Sequence, residues 1–248
     1  MAATPAESAN TTQQTLCEVI YRLARAAEYR EEDTYSHLHR MSHGVAELAR
    51  AMGMEPDFVE RLSCAAPFHD IGKVGIPDRI LLKPTKLVDW EWEVMKQHTT
   101  LGKRILEGSD LPVLRMGETI AYTHHERWDG MGYPRGLQGS EIPVEGQIVS
   151  LVDVFDNLSS RRPYRDACSL DEAFEAIREG SGSQFSTEMV EVFLGIRDRI
   201  IQIKEQFEEC GESIFLQMVG RLHIVSHPTI LESEPEFDDQ ETKRISPA

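Results

Sequence analysis

The chain has 248 residues, a formal net charge of −16 and a hydrophobic fraction of 40%. This charge argues against general binding to nucleic-acid polymers, because such binding needs a basic face that displaces counterions. The sequence shows no basic-then-apolar signal segment, and no apolar run reaches about 18 residues, so we expect neither secretion nor a membrane span. The four cysteines form no CxxC pair, which predicts a reduced, cytoplasmic protein.

Aromatic residues are few and Ala, Leu, Glu and Arg are common, so the composition favours helices, and apolar residues recur at helical spacing. We expect a disordered N-terminal tail over residues 1–12, one helical domain over 13–227 and a disordered acidic tail over 228–248. The predicted helices run over Gln13–Arg30, Asp33–Met52, Pro56 to about Phe68, Asp89–Glu107, Leu111–Tyr122, Pro143–Leu158, Ser169–Glu179 and Ser186–Glu209.

The most informative short stretch is Phe68–Asp78, where His69 and Asp70 stand side by side after an apolar run. Imidazole nitrogen and carboxylate oxygen are both good ligands for Fe, Mn or Zn. Gly72 allows close backbone approach, and Lys73 adds a positive charge beside the pair. An isolated His-Asp pair more often forms a structural hydrogen bond at a helix end. The choice between this interpretation and metal ligation therefore depends on the other residues of the chain.

Further histidines lie on helical faces or at helix ends. Asp33 and His37 share one face, because they are spaced i, i+4. His98 lies on an apolar-flanked face, where a core histidine and a ligand are equally reasonable. His124 and His125 follow the end of a predicted helix, the place where adjacent side chains can reach one site.

The helix from Pro143 is apolar nearly all round and is therefore expected to be buried, yet it carries Asp153 and Asp156. A buried carboxylate needs a cation or strong donors, which favours metal ligation by Asp153. The densest basic cluster, Ser160–Arg165, follows this helix. It is either a solvated helix end or a phosphate clamp.

Taken in order, these residues resemble the HD-GYP family, a branch of the HD phosphohydrolases, over roughly residues 33–185. The superfamily pattern H…HD…D is matched by His37, His69-Asp70 and Asp153. The branch-specific marks are His69 to Lys73, Ile76-Pro77-Asp78, His98, His124-His125-Glu126, Asp129-Gly130, Gly132-Tyr133-Pro134 and Asp153 through Arg165.

The resemblance implies an all-α domain with further C-terminal helices, in the bacterial cytoplasm. It also implies metal-dependent hydrolysis of cyclic di-GMP, or a related 3′,3′-cyclic dinucleotide, to linear pGpG, and leaves open whether a second cleavage to GMP follows. It assigns Lys73, Arg162 and Arg165 to the substrate phosphates, and the Gly-Tyr-Pro loop to the substrate pocket and to contacts with a diguanylate cyclase or regulator. The residues that it assigns to the metal ions are His37, His69, Asp70, His98, His124, His125 and Asp153.

The chemistry of a phosphodiester fits these residues, since two metals about 3.5–4 Å apart can share a hydroxide and hold a phosphate oxygen. We expect Asp70 to bridge them as a catalytic residue, with Lys73 neutralising charge on the phosphate. His37, His69 and Asp153 would hold one ion, and His98, His124 and His125 the other. Fe or Mn is favoured, and Zn or Ni also suits these ligands.

One departure from the family pattern and two alternative functions accompany this interpretation. Asp33 stands where three-metal relatives carry the longer Glu, so we expect two ions, not three. Bases could stack on Tyr133, Trp128 or an arginine plane. The alternative functions are a cyclic-dinucleotide receptor or scaffold without turnover, and a general HD nucleotide phosphohydrolase. Turnover by metal-loaded protein and a substrate panel would separate them.

Overall fold

The computed structural model describes residues 5–29, 34–160 and 167–208. The described residues form α-helices and short 3-10 turns and no β-strand, so the predicted all-α fold is confirmed. They all belong to one compact unit that ends at Gly211. The helices run over Pro5–Glu28 (α1), Thr34–Ala51 (α2), Pro56–Ala65 (α3), Asp78–Leu81 (α4), Asp89–Leu106 (α5), Pro112–Thr123 (α6), Val144–Ser159 (α7), Leu170–Glu179 (α8), Thr187–Gly195 (α9) and Arg197–Glu208 (α10).

Two predicted boundaries differ from the structure. Helix α1 begins at Pro5 and not at Gln13, because proline is well suited to the first turn of a helix and small residues follow it. The single helix expected from Ser186 is divided at Ile196 into α9 and α10, next to Gly195, a poor residue for a helix interior. The acidic tail predicted at 228–248 lies outside the described residues.

Helix α7 lies at the centre of the core, as its apolar sequence predicted. Ile148, Val149 and Leu151 are fully buried, and Phe155 contacts the rings of Phe174 and Phe193. Each such side chain stabilises the fold by roughly 1.5–3 kcal/mol relative to an exposed one. Helix α7 packs against α2, α6 and α8, so its two aspartates lie next to the side chains of these neighbouring helices.

The His-Asp pair lies between two 3-10 turns, Ala66–Phe68 and Ile71–Gly75, that follow α3. The second turn lies directly against α5: a Cβ atom added to Gly72 would be 1.9 Å from the carbonyl oxygen of His98. Glycine is therefore required there, since any side chain would separate the turn from the helix. This close approach brings the pair next to His98.

A disulfide bond joins Cys17 on α1 to Cys64 on α3, with the two Cα atoms 5.3 Å apart. The expectation that the cysteines are reduced was therefore wrong for this pair. The two cysteines are 47 positions apart and match no disulfide motif, so only the packing of α1 against α3 reveals that they meet. Among the described residues, Cys168 is a free cysteine.

In the described part of the chain, no helix combines the length and apolar character that a bilayer span requires.

Candidate metal centre

Two groups of ligand-type side chains meet where the helices converge. The first contains Asp70, His98, His124 and His125, and the second contains His37, His69 and Asp153. Within each group, the ligand atoms lie within 4.8 Å of one another. The members come from α2, the turns after α3, α5, the end of α6 and α7. These are the two sets expected from the sequence, with Asp70 lying in the set that contains His98.

Four of the histidines are oriented by a hydrogen bond at Nδ1. The acceptors for His69, His98 and His124 are the backbone carbonyls of Ala66 (2.9 Å), Met95 (2.7 Å) and Ile120 (3.0 Å). Nδ1 of His37 pairs with Oδ2 of Asp156 at 2.8 Å. When Nδ1 donates the proton, Nε2 keeps a free lone pair, which is the form in which histidine binds metals.

The four Nε2 atoms point towards the shared space. His37 Nε2 is 3.5 Å from His69 Nε2, and each of these atoms is 3.8 Å from Asp153 Oδ1. His98 Nε2 and His124 Nε2 are also 3.5 Å apart. Ligand atoms about 2.1 Å from an ion are separated by roughly 3.0–3.4 Å in octahedral or tetrahedral geometry. These spacings are therefore close to those of atoms that surround a cation.

Asp70 lies between the two groups. Its Oδ1 is 3.3 Å from His98 Nε2 and 3.5 Å from His124 Nε2, while Oδ2 is 3.4 Å from His69 Nε2 and 2.7 Å from Lys73 Nζ. Oδ1 is buried and has no hydrogen-bond partner among the described residues. A buried carboxylate oxygen without a donor is costly unless a cation satisfies it. The donor set and this oxygen both fit a divalent metal ion.

The electrostatics favour ligand-competent protonation states. Burial lowers the pKa of His98 to about 4, and burial also lowers the pKa of His69. The pKa of His125 falls well below its usual value because of burial and then of His124 and His98. Burial works to raise the pKa of Asp70, but Lys73 and the nearby histidines lower it well below its ordinary value. Neutral imidazoles therefore face an ionised carboxylate.

Asp156 is a site residue for which no role was predicted from the sequence. Its Oδ2 pairs with His37, and its Oδ1 accepts a hydrogen bond from Arg40 Nε at 2.5 Å. Arg40 Nη2 donates to Asp156 Oδ2 at 3.1 Å and to Ser160 Oγ at 3.2 Å. Carboxylates in this position orient a metal-binding imidazole and raise its basicity. The only sequence signal was a second aspartate in an apolar helix.

The Gly-Tyr-Pro loop is fixed to the metal-ligand groups through Glu126, which is buried. The carboxylate of Glu126 accepts hydrogen bonds from the backbone N–H groups of Arg135 (2.8 Å) and Leu137 (2.9 Å). The backbone N–H of Tyr133 donates to the carbonyl of His125 at 3.1 Å. The Tyr133 ring then stacks on the His125 ring at 4.7 Å. Tyr133 therefore forms part of the wall of the site.

Of the other residues predicted to contact the substrate, Lys73 lies at the site and Trp128 lies away from it. Lys73 is close to Asp70, at the edge of the site. Trp128 lines a small cavity with Ile142 and Phe185, on the part of the loop that packs on the core. Asp33, Arg162 and Arg165 lie outside the described residues, so the expectation of two ions instead of three and the phosphate clamp stay predictions.

These features define a helical domain with a candidate metal centre gathered from separate helices. The family described as HD domain matches residues 22–189. The chain belongs to this family, in agreement with the H…HD…D pattern and the HD-GYP resemblance found in the sequence.

Relatives with curated names are similar over most of this chain. It is 50% identical over 188 residues to a cyclic di-GMP phosphodiesterase of Thermotoga maritima, which covers 76% of this chain and 51% of that protein. It is 43% identical over 200 residues to the cyclic di-GMP phosphodiesterase response regulator RpfG of Xanthomonas campestris, covering 81% and 53%. The chain thus spans about half the length of the curated relatives it matches.

A solved structure shares the fold. The crystal structure of a cyclic GMP-AMP specific phosphodiesterase of Vibrio cholerae, V-cGAP3, superposes with a TM-score of 0.56 at 18% identity, over 78% of this chain and 53% of that one. At this identity the likeness shows a common fold.

Proposed function

We propose that this chain is a metal-dependent phosphodiesterase that hydrolyses a 3′,3′-cyclic dinucleotide, with cyclic di-GMP as the first candidate. The observation that carries the proposal is the convergence of four oriented Nε2 atoms on Asp70 and Asp153. The names of the two curated relatives support the same substrate class. The name of the structural neighbour makes cyclic GMP-AMP the second substrate to test.

Two divalent ions suit the two groups, with Fe or Mn favoured and Zn or Ni acceptable to the same ligands. His37, His69 and Asp153 would hold one ion, and His98, His124 and His125 the other, with Asp70 between them. When bound, such ions acidify a water molecule and neutralise charge on a phosphodiester. The histidines hold their lone pairs towards this space through their Nδ1 hydrogen bonds, so little reorganisation is needed on binding.

Two described side chains have proposed roles towards the substrate. Lys73 places a cation 2.7 Å from Asp70, at the edge of the site where a phosphate oxygen would lie, and there it would offset negative charge that develops on the phosphate. Tyr133 forms an aromatic wall beside His125. Arg162 and Arg165 are proposed to bind the phosphates. The products would be linear pGpG and, after a second cleavage, GMP.

A contact with a diguanylate cyclase or another regulator through the Gly-Tyr-Pro loop stays a prediction. Its support in this chain is Met131, which lies within the loop with 80% of its surface exposed. A large exposed apolar side chain on a functional loop is a common contact point. The bacterial cytoplasm likewise stays the predicted location.

The test combines metal content with product analysis. Protein purified anaerobically is analysed for metals and then supplied with cyclic di-GMP, 3′,3′-cyclic GMP-AMP and linear pGpG. We expect about two ions per chain and cleavage of at least one cyclic dinucleotide. Metal-loaded protein that binds these molecules without cleaving them would instead indicate a receptor, and cleavage of unrelated nucleotides alone would indicate a general nucleotide phosphohydrolase.

A matched pair of histidine variants assigns the activity to the site. His37→Ala removes a member of one ligand group, whereas His43→Ala changes a histidine on the same helix that contacts Phe207 outside both groups. We expect the first variant to lose metal and activity and the second to keep both. Equal activity in the two variants would place the reaction elsewhere in the chain.

A further inference from the structure

A second aromatic side chain, Trp92, lies beside the site on α5. Its ring is 6.1 Å from the ring of Tyr133, at an interplanar angle of 79°. Tyr133 in turn stacks on His125 at an interplanar angle of 25°. Trp92 is therefore linked to a candidate metal ligand through one intervening ring. Nearly half of its surface, 46%, is nevertheless exposed.

The local chemistry suits a purine nucleotide. Lys96, one helical turn after Trp92, places its ammonium group 5.8 Å from the centroid of the Tyr133 ring. Lys96 also pairs with Glu93 at 2.7 Å. An exposed indole, a tyrosine and a lysine at one wall can bind a nucleobase by stacking and the adjoining phosphate by charge. Inorganic phosphate has no ring that could stack on the indole.

The neighbouring tryptophan has a different position. Trp90 is 56% exposed, but it precedes Trp92 by two positions, which turns its side chain by about 200° around the helix. The ring contact with Tyr133 is made by Trp92. The same helix therefore offers two exposed indoles, of which the one beside the site is Trp92.

We propose that Trp92 is a base-stacking residue that binds one purine of the cyclic dinucleotide, on the Tyr133 wall of the site. This inference rests on the proposed function and adds the residue that recognises the base. Stacking on an aromatic side chain accounts for a change in affinity on the order of 5- to 150-fold for each base. We expect this change in KM and in the dissociation constant, with kcat and metal content kept.

The experiment compares Trp92→Ala with Trp90→Ala in otherwise intact, metal-loaded protein. Steady-state kinetics with cyclic di-GMP should show a raised KM for Trp92→Ala and an unchanged KM for Trp90→Ala. Trp92→Phe keeps an aromatic face and should recover most of the affinity, whereas Trp92→Leu keeps apolar bulk only and should not. The Phe and Leu pair preserves the test if the Ala variant does not fold.

Tryptophan fluorescence provides a binding measurement that does not depend on turnover. The chain has three tryptophans, and quenching on addition of cyclic di-GMP should be lost in Trp92→Phe and kept in Trp90→Phe. Wild-type protein that binds or cleaves the dinucleotide while the Trp92 and Trp90 variants behave alike would overturn this inference and leave the proposed function standing. Metal-loaded wild-type protein that neither binds nor cleaves cyclic di-GMP or 3′,3′-cyclic GMP-AMP would overturn both.

Discussion

Substituting Asp156 by Asn tests whether a carboxylate behind His37 controls the metal site. Asp156 uses both oxygens, Oδ2 towards His37 Nδ1 and Arg40 Nη2, and Oδ1 towards Arg40 Nε. All of these partners bear N–H groups. Asparagine has the same shape, but its NH₂ group would face a donor on either side, whichever way the amide is turned. The variant therefore loses the charge and at least one hydrogen bond.

The expected loss of stability follows from the burial of Asp156, His37 and Arg40. Breaking a buried ion pair from one side costs about 3–5 kcal/mol, because the other charge stays buried. We expect Asp156→Asn to lower the free energy of unfolding by about 3 kcal/mol, at the lower end of this range. The reason is that Ser160 Oγ also accepts a hydrogen bond from Arg40. Loss of the carboxylate behind a metal-binding histidine lowers metal affinity by roughly 10- to 100-fold.

The same carboxylate predicts a pH dependence with a defined sign. Burial works to raise the pKa of Asp156, but the hydrogen bond and charge of His37 and the charge of Arg40 outweigh burial and lower it. A carboxyl group whose pKa is lower in the folded state stabilises the protein above its unfolded pKa, near 3.8, and loses this contribution as the pH falls below it. Asp156→Asn should therefore flatten the acid side of the stability profile.

The assay is urea unfolding with a chelator present, from pH 3 to 7, together with metal titration at neutral pH. Chelation matters because a bound ion would itself stabilise the folded state. Asp171→Asn is the control: Asp171 pairs with Arg197 at an exposed position and should change stability by less than about 0.5 kcal/mol. Wild-type stability and metal affinity in Asp156→Asn would refute the proposed role.

Three further perturbations follow from the geometry. His69→Ala should reduce bound metal and abolish cyclic di-GMP turnover, measured by elemental and product analysis; near-normal values of both would show that the site is misplaced. Gly72→Ala should destabilise the fold by about 3 kcal/mol or more in urea unfolding, because its Cβ would lie 1.9 Å from the His98 carbonyl oxygen. Reducing the Cys17–Cys64 bond, which spans 47 positions, should lower the free energy of unfolding by about 4 kcal/mol; an equal value with and without reductant would contradict the bond.

The sequence was most informative where a polar group interrupts an apolar pattern. His98, Asp153 and the His69-Asp70 pair each stand within or beside apolar helical residues, and the structure places all of them in the two ligand groups. This could be predicted because a buried polar group needs a partner. The sequence does not reveal which group is the partner, because this depends on which helices pack together.

Asp156, Trp92 and the Cys17–Cys64 bond show what such reasoning misses. Asp156 and His37 are far apart in sequence, and their contact exists only because α7 packs against α2. In the sequence, nothing distinguishes Trp92 from the other residues of an amphipathic helix. Its contact with Tyr133 exists only because the loop that carries Tyr133 folds beside α5. Each of these contacts joins distant segments, and the local spacing of residues contains no information about them.

The placement of Asp70 also makes the two ligand groups dependent on each other. His69 and Asp70 are adjacent in sequence, yet they contribute to different groups. The pair forms a turn between the 3-10 segments Ala66–Phe68 and Ile71–Gly75, after the chain has left α3. Any change that moves this turn shifts one ligand in each group. Asp70 Oδ2 approaches His69 while its Oδ1 approaches His98, so loss of an ion from one group should weaken binding at the other.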